Sequence, residues 1–160
     1  MSHNPRSLDA TTPGVVSPFF LFLGALCLGR AAQFFLPRPV FSSGAVGYIA
    51  GAALIIPGLG LSTLTVFHFR RSKTPVSPLR PTQRLVVSGL YRFSRNPDYL
   101  GQGLVFAGIA LVLNSVWTLL ALIPALVLVR YVVIPREERY LQTRFGAEYA
   151  SYCRRVRRWI

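Results

Sequence analysis

Acidic residues are scarce in this chain. Five Asp and Glu stand against 17 Arg and a single Lys, for a net charge of +13. Cysteine and histidine are scarcer still. Cys27 and Cys153 offer neither a disulfide framework nor a Cys-x-x-Cys or zinc pattern. His3 and His68 are isolated, so no metal site is expected. Cys27 follows Leu26, where a lipoprotein cleavage site needs a small residue, so no lipid anchor is expected either. Charged residues make up only 14% of the chain, apolar residues 52%, and the mean hydropathy is +0.44. That balance is too apolar for a small soluble domain and points to a membrane. A strongly basic chain also suits nucleic acid. Here, however, the apolar runs are of spanning length and the arginines sit directly beside them. That is the pattern of the anionic cytoplasmic face of a bilayer, so no nucleic-acid partner is expected.

The length of 160 residues fits one domain, 1–160. Residues 1–17 read as a loose polar arm, and no small-residue cleavage pattern follows the first apolar run, so no cleaved signal peptide is expected. Apolar runs at about 18–36, 44–69, 98–113 and 116–134 read as four membrane spans. The first carries Arg30 and Gln33 on one helical face. They either line a cavity or, for Arg30, reach out to nearby headgroups. The second contains Pro57 among Gly51, Gly58 and Gly60, a pattern of kinking and close helix packing. Gly101, Gly103 and Gly108 suit the same packing in the third span. Asn114-Ser115 makes a tight uncharged turn to the fourth. Seven basic residues lie between Arg70 and Arg95, and seven more follow Ile134, while the 114–115 turn has none. The positive-inside rule then places both termini in the cytoplasm and the chain in the inner membrane. Arg38 in the 37–43 turn dissents alone. Pro135 to Ile160 reads as a cytoplasmic helix beginning at Pro135, with Leu141, Phe145, Tyr149 and Tyr152 on an apolar face. The fold class is therefore an all-α membrane bundle of four spans with a cytoplasmic C-terminal helix.

Two polar stretches flank the last two spans. Gly-Leu-Tyr-Arg-Phe-Ser-Arg-Asn-Pro-Asp-Tyr-Leu-Gly, from Gly89 to Gly101, reads as a turn that starts a helix. Asn96 suits the N-cap, Pro97 the first helical position and Asp98 the first turn. Such a start favours an anionic ligand group. The second stretch holds Glu137 and Glu138, two of the five acids. They read either as helix-start acids paired with arginines or as ligands. Because a two-residue turn joins the third and fourth spans, both stretches must lie at the same end of the bundle. A zwitterionic amino-acid ligand needs that set: a cation for its carboxylate and an anion for its ammonium.

From Lys73 onward the chain resembles the membrane methyltransferases of the isoprenylcysteine carboxyl methyltransferase and phospholipid N-methyltransferase group. The resemblance rests on Gly89 to Gly101 and on Arg136-Glu-Glu-Arg-Tyr-Leu-Gln-Thr-Arg-Phe-Gly-Ala-Glu-Tyr149. In that group the first motif usually reads Arg-His-Pro-x-Tyr. Here Asn96 replaces the His and does not titrate as one, and Asp98 fills an often apolar position. The resemblance implies S-adenosylmethionine as methyl donor, bound at the cytoplasmic edge, and a lipophilic acceptor from the bilayer: isoprenylcysteine carboxylate, phospholipid amine, thiol or quinone-like lipid. It assigns the donor to Tyr91, Arg95, Asn96, Pro97, Tyr99, Leu100, Glu137 and Glu138. Arg95, Asn96 and Glu138 are the candidates for catalysis. Arg92, Arg136 and Arg139 are second choices. A nicotinamide-dependent membrane reductase and a non-enzymatic adaptor for anionic lipid are the rival readings.

Overall fold

The computed structural model describes residues 18–71 and 85–160. The arm at 1–17 and most of the Arg-rich segment, 72–84, lie outside the described residues. All regular structure among the described residues is helical: α1 (Pro18–Phe35), α2 (Gly44–Arg71), α3 (Pro97–Val112), α4 (Val116–Leu128) and α5 (Ile134–Arg155). A 3-10 turn at Gly89–Arg92 precedes α3.

Three of these helical stretches are long and apolar enough to cross a membrane: Pro18–Phe35, Gly44–His68 and Val116–Arg155. Helix α3 is shorter, at 16 residues. Large apolar side chains face outward along the bundle, including Phe20, Leu28, Phe34, Ile49, Ile56 and Ile123. In water such a surface would be costly, whereas lipid covers it without penalty. The chain is a multi-pass membrane protein.

Helices α2 and α3 pack backbone to backbone through glycine. A Cβ on Gly51 would lie 2.6 Å from the Gly108 carbonyl oxygen, and one on Gly108 would lie 2.7 Å from that of Gly51. Gly58 and Gly101 repeat this at 2.8 Å in both directions. Seven residues separate the glycines on each helix, so the two antiparallel partners meet in register, two turns apart. Gly60 meets nothing and is not part of the seam. Helix α1 packs on α4, where a Cβ on Gly29 would reach within 2.5 Å of the Thr118 Cα. The small apolar core of Phe22, Tyr99, Phe106, Ala125, Val129, Val133 and Ile134 joins α1, α3 and α4.

The two short turns are fastened together. Asn114, at φ 48°, accepts hydrogen bonds at Oδ1 from the Val40 and Phe41 amides (2.9 and 2.8 Å) and donates from Nδ2 to the Phe41 carbonyl (2.9 Å). The Val116 amide donates to Arg38 O, and Trp117 Nε1 to Leu36 O at 2.6 Å. Gln33 belongs to this clasp. Its Oε1 accepts from Ser115 Oγ at 3.1 Å, so it does not line a cavity with Arg30, which is exposed.

Pro135 does not begin a separate helix. The chain stays helical from Val116 to Arg155 through a π turn, Val129–Val133, closed by the Ile134 amide on Val129 O. Proline lacks an N–H and crowds the carbonyl four residues back, here Tyr131. The wider π turn absorbs that clash. Glu137 and Glu138 therefore do not cap a free helix end. The break comes later, at Gly146 (φ 51°, ψ −120°), where glycine is required because other residues rarely take a positive φ. It divides α5 into 134–145 and 147–155 and turns the second piece back under the Gly89–Asn96 stretch.

Candidate functional site

The second piece of α5 anchors the turn before α3. Tyr152, buried, donates its phenolic hydrogen to Tyr91 O at 2.7 Å. Burial raises the Tyr152 pKa to about 12, so the phenol stays protonated. Tyr91 is likewise held neutral, chiefly by burial and then by the charge of Asp98. Pro97 is buried at the first turn of α3 as expected.

Asn96 occupies the N-cap position, but its side chain makes no cap hydrogen bond. The amide Nδ2 donates instead to Arg158 O at 2.8 Å, in the C-terminal tail. Ser94 Oγ accepts from the Asn96 N–H at 3.1 Å and donates to Arg158 O at 3.5 Å. The Arg95 amide donates to Arg157 O at 3.0 Å. Asn96 thus ties the tail to the turn. The reading of an Asn side-chain cap is overturned because a tertiary acceptor outcompetes the local amides.

The two adjacent carboxylates have opposite surroundings. Glu138 is bracketed by cations. Arg158 approaches it as a fork, Nε to Oε1 at 3.1 Å and Nη2 to Oε2 at 2.6 Å. Arg95 Nη1 reaches Oε1 at 3.0 Å. The Glu138 partnership holds the Arg158 guanidinium even more firmly in its charged form. Two guanidinium groups and one carboxylate leave this cluster with a net charge of +1. Arg95 Nη1 also donates to Cys153 Sγ at 2.8 Å, while Arg95 Nε is buried and meets no acceptor among the described residues. A buried charged N–H without an acceptor is costly and marks a place where a ligand anion fits.

Among the described residues Glu137 has no ion-pair partner. It accepts a hydrogen bond from Tyr99 Oη at 2.6 Å. Burial raises its pKa to about 7; the Tyr99 hydrogen bond pulls it down, and the charges of Asp98 and Glu138 push it up. Asp98 is held one turn back on α3, where it accepts from Gln102 Nε2 at 2.7 Å. Glu137 and Asp98 therefore form a negative patch beside the positive Arg95–Glu138–Arg158 cluster.

Of the residues assigned from sequence, Arg95, Asn96 and Glu138 share one network through Arg158, and Tyr99 and Glu137 form a separate pair beside it. Leu100 is half-buried on α3 next to Tyr99, and its backbone amide donates to Asn96 O. Arg92, Arg136 and Arg139 are exposed and outside the network. Arg158 and Cys153 belong to it and were missed. Arg158 is one of four arginines in a tail that reads as headgroup anchors, and nothing local singles it out.

The Phospholipid methyltransferase family matches residues 46–148 of the chain, more than half its length. Two rice proteins, each a "Probable protein-S-isoprenylcysteine O-methyltransferase", from Oryza sativa subsp. indica and subsp. japonica, are 28% identical over 158 residues. That stretch covers 96% of this chain and 81% of each relative. Protein-S-isoprenylcysteine O-methyltransferase B of Arabidopsis thaliana is 32% identical over 110 residues, 66% of this chain and 55% of its own length. No solved structure matches the chain. Nothing in these matches supports a nicotinamide-dependent reductase or a non-enzymatic adaptor.

Proposed function

The chain belongs to the phospholipid methyltransferase family and is a membrane methyltransferase; from that premise we propose that it uses S-adenosylmethionine to methylate a lipophilic acceptor at the cytoplasmic edge of the inner membrane. The acceptor is of the isoprenylcysteine carboxylate, phospholipid amine or thiol type. The donor, when bound, supplies an electrophilic methyl group on a sulfonium. Methyl transfer is an in-line displacement: the acceptor's lone pair forms the new bond to carbon as the carbon–sulfur bond breaks, leaving a neutral sulfide. A carboxylate acceptor has no proton to shed, and an amine acceptor loses one after transfer. The protein's task is to bind, orient and exclude water.

The observation that carries this reading is the charge asymmetry of Glu137 and Glu138. Glu138 is already neutralised by Arg95 and Arg158. Glu137 is half-buried and, among the described residues, is met by a phenol and no cation, so a cationic ligand group relieves its burial cost. We assign the donor's ammonium to Glu137, with Asp98 adding to the field, and its carboxylate to the orphaned Nε edge of Arg95. Tyr91, Pro97 and Leu100 shape the turn around the adenosyl portion. Asn96 acts through the tail and carries no proton in the reaction.

Four crossings with both termini in the cytoplasm fit the same reading. Helix α3 is about 24 Å long at 1.5 Å per residue, shorter than a hydrocarbon core of about 30 Å. If its far end is level with the Asn114 clasp, its Pro97 end lies below the headgroups. A lipophilic acceptor then reaches the site without leaving the bilayer. The domain comprises 1–160, with the donor site drawn from 70–101 and 135–160.

The test is calorimetric titration of the purified protein in detergent with S-adenosylmethionine. Glu137→Gln is expected to weaken binding by roughly 2–5 kcal/mol if the pair is desolvated, and NADPH is expected to give no heat. Equal donor affinity in Glu137→Gln and the parent refutes the assignment.

A further inference from the structure

The last five residues do more than end the chain. After α5 stops at Arg155, residue Val156 is extended (φ −125°, ψ 130°) and the tail runs back along the turn before α3. Three donors of that turn end on it: the Arg95 amide on Arg157 O, and Asn96 Nδ2 and Ser94 Oγ on Arg158 O. Trp159 packs against the core cluster of α1, α3 and α4. The backbone of Arg158 is thereby fixed while its guanidinium points at Glu138.

We propose that Arg158 is a positioning residue that occupies both oxygens of Glu138 and so keeps the Nε edge of Arg95 open for an anionic group of the ligand. This rests on the donor reading above. A carboxylate offers two oxygens, and an arginine takes them best as a fork. Arg158 makes that fork with Nε and Nη2 at 3.1 and 2.6 Å. What remains for Arg95 is a single contact through Nη1, at 3.0 Å. Its Nε–H is left buried and without an acceptor among the described residues. Without Arg158, Glu138 is free to swing and take the Nε–Nη edge of Arg95 for itself. The ligand's anion then competes with an internal carboxylate. The tail is therefore not a generic basic anchor, because one of its arginines holds a carboxylate away from another.

The experiment compares S-adenosylmethionine with its decarboxylated analogue, which keeps the sulfonium, the amine and the adenosine. Dissociation constants and donor KM against kcat are measured for the full-length parent, Arg158→Gln, Arg158→Lys and Arg154→Gln, all in detergent. A charge-assisted contact makes the parent prefer the carboxylated donor by about tenfold to a hundredfold. Arg158→Gln is expected to lose most of that preference, raising KM for the carboxylated donor alone and leaving kcat and the decarboxylated affinity within about twofold. Arg158→Lys, a point charge without the fork, is expected to keep part of the preference. Arg154→Gln, exposed in the last turn of α5, is expected to match the parent. Equal weakening of both ligands in Arg158→Gln makes the tail a structural strap only and overturns the proposal, as does an unchanged preference. If Arg158→Gln fails to fold, full preference in Arg158→Lys overturns it. A parent that binds the donor without preferring the carboxylated form refutes the Arg95 edge but not the donor site. A parent that binds neither ligand refutes the donor reading itself.

Discussion

Glu137 makes donor binding depend on pH in a direction that can be worked out. Burial raises its pKa from an ordinary 4.5 to about 7. Below about pH 7 the ligand-free protein therefore holds this carboxyl protonated, and above it charged. The stability conferred by the protonated form is full below about 4.5 and is lost as pH rises through about 7. At pH 8 the charged carboxylate costs the fold at most about 3 kcal/mol, less what water screens at this half-buried position. A bound ammonium or sulfonium reverses the preference and brings the carboxyl back toward the ordinary range. Donor affinity then falls about tenfold for each pH unit below 7, and by about fiftyfold between pH 7.5 and pH 5. By about pH 7.7 the donor's own amine has lost half its charge, so the window of interest ends below that. The assay is calorimetric titration in detergent from pH 5 to 7.5, repeated in buffers of different ionisation enthalpy to count protons. The parent should release up to one proton on binding at pH 6. Glu137→Gln should bind with a flat pH profile, should differ least from the parent at pH 5, and should unfold at a higher temperature than the parent at pH 8. A flat profile in the parent, or an unchanged slope in the Gln variant, refutes the reasoning.

Other perturbations test the frame around the site. Gly108→Ala places a methyl 2.7 Å from the Gly51 carbonyl oxygen and should lower thermal stability in detergent by about 1–3 kcal/mol, whereas Gly60→Ala, with nothing within 4 Å, should be neutral or stabilising by up to about 1 kcal/mol. Asn114→Ala removes three hydrogen bonds between the turns and should destabilise by about 1–3 kcal/mol, read by the same thermal assay. Asn96→Ala frees the tail from the turn and should raise the donor's dissociation constant while sparing turnover at saturating donor, and Asn96→His should retain substantial activity; lost turnover at unchanged affinity would move Asn96 to the chemical step. For orientation, Ser115 is fully buried, so the reporter belongs at exposed Arg38: Arg38→Cys, with Cys27 and Cys153 changed to Ala, should react with an impermeant thiol reagent in intact cells, and labelling only after lysis would reverse the topology.

The bundle was legible where local chemistry decides. Long apolar runs set α1 and α2 within two residues at each end, and glycine in α2 and α3 announced a seam without side chains. The candidate site was legible in part for a similar reason. A five-acid chain that places two of its acids side by side marks the spot, and a two-residue turn brings that spot near Asn96-Pro97. What sequence could not show is which partner wins when several are available. Pro135 is a good helix starter, yet a π turn lets the helix run through it. Asn96 is a good cap, yet its amide goes to Arg158 O, 62 residues away. Gly146 lies in a helical pattern and breaks it with a positive φ. Glu137 and Glu138 are chemically identical neighbours, and only the fold separates one with two arginines from one with a phenol. Gln33 was open between a cavity and the bundle edge, because its acceptor role at Ser115 is a contact across the bundle.

The clasp at Asn114 has a mechanical consequence. It fastens the end of α1 and the connection to α2, residues 33–41, to the α3–α4 turn and the start of α4, residues 114–117. A glycine seam further clamps α2 along α3. The two ends of the bundle are thus held by different means. Hydrogen bonds set the register at the Asn114 end, whereas apolar packing of Phe22, Tyr99, Phe106, Val129, Val133 and Ile134 sets the spacing of the helices at the end that carries Glu137.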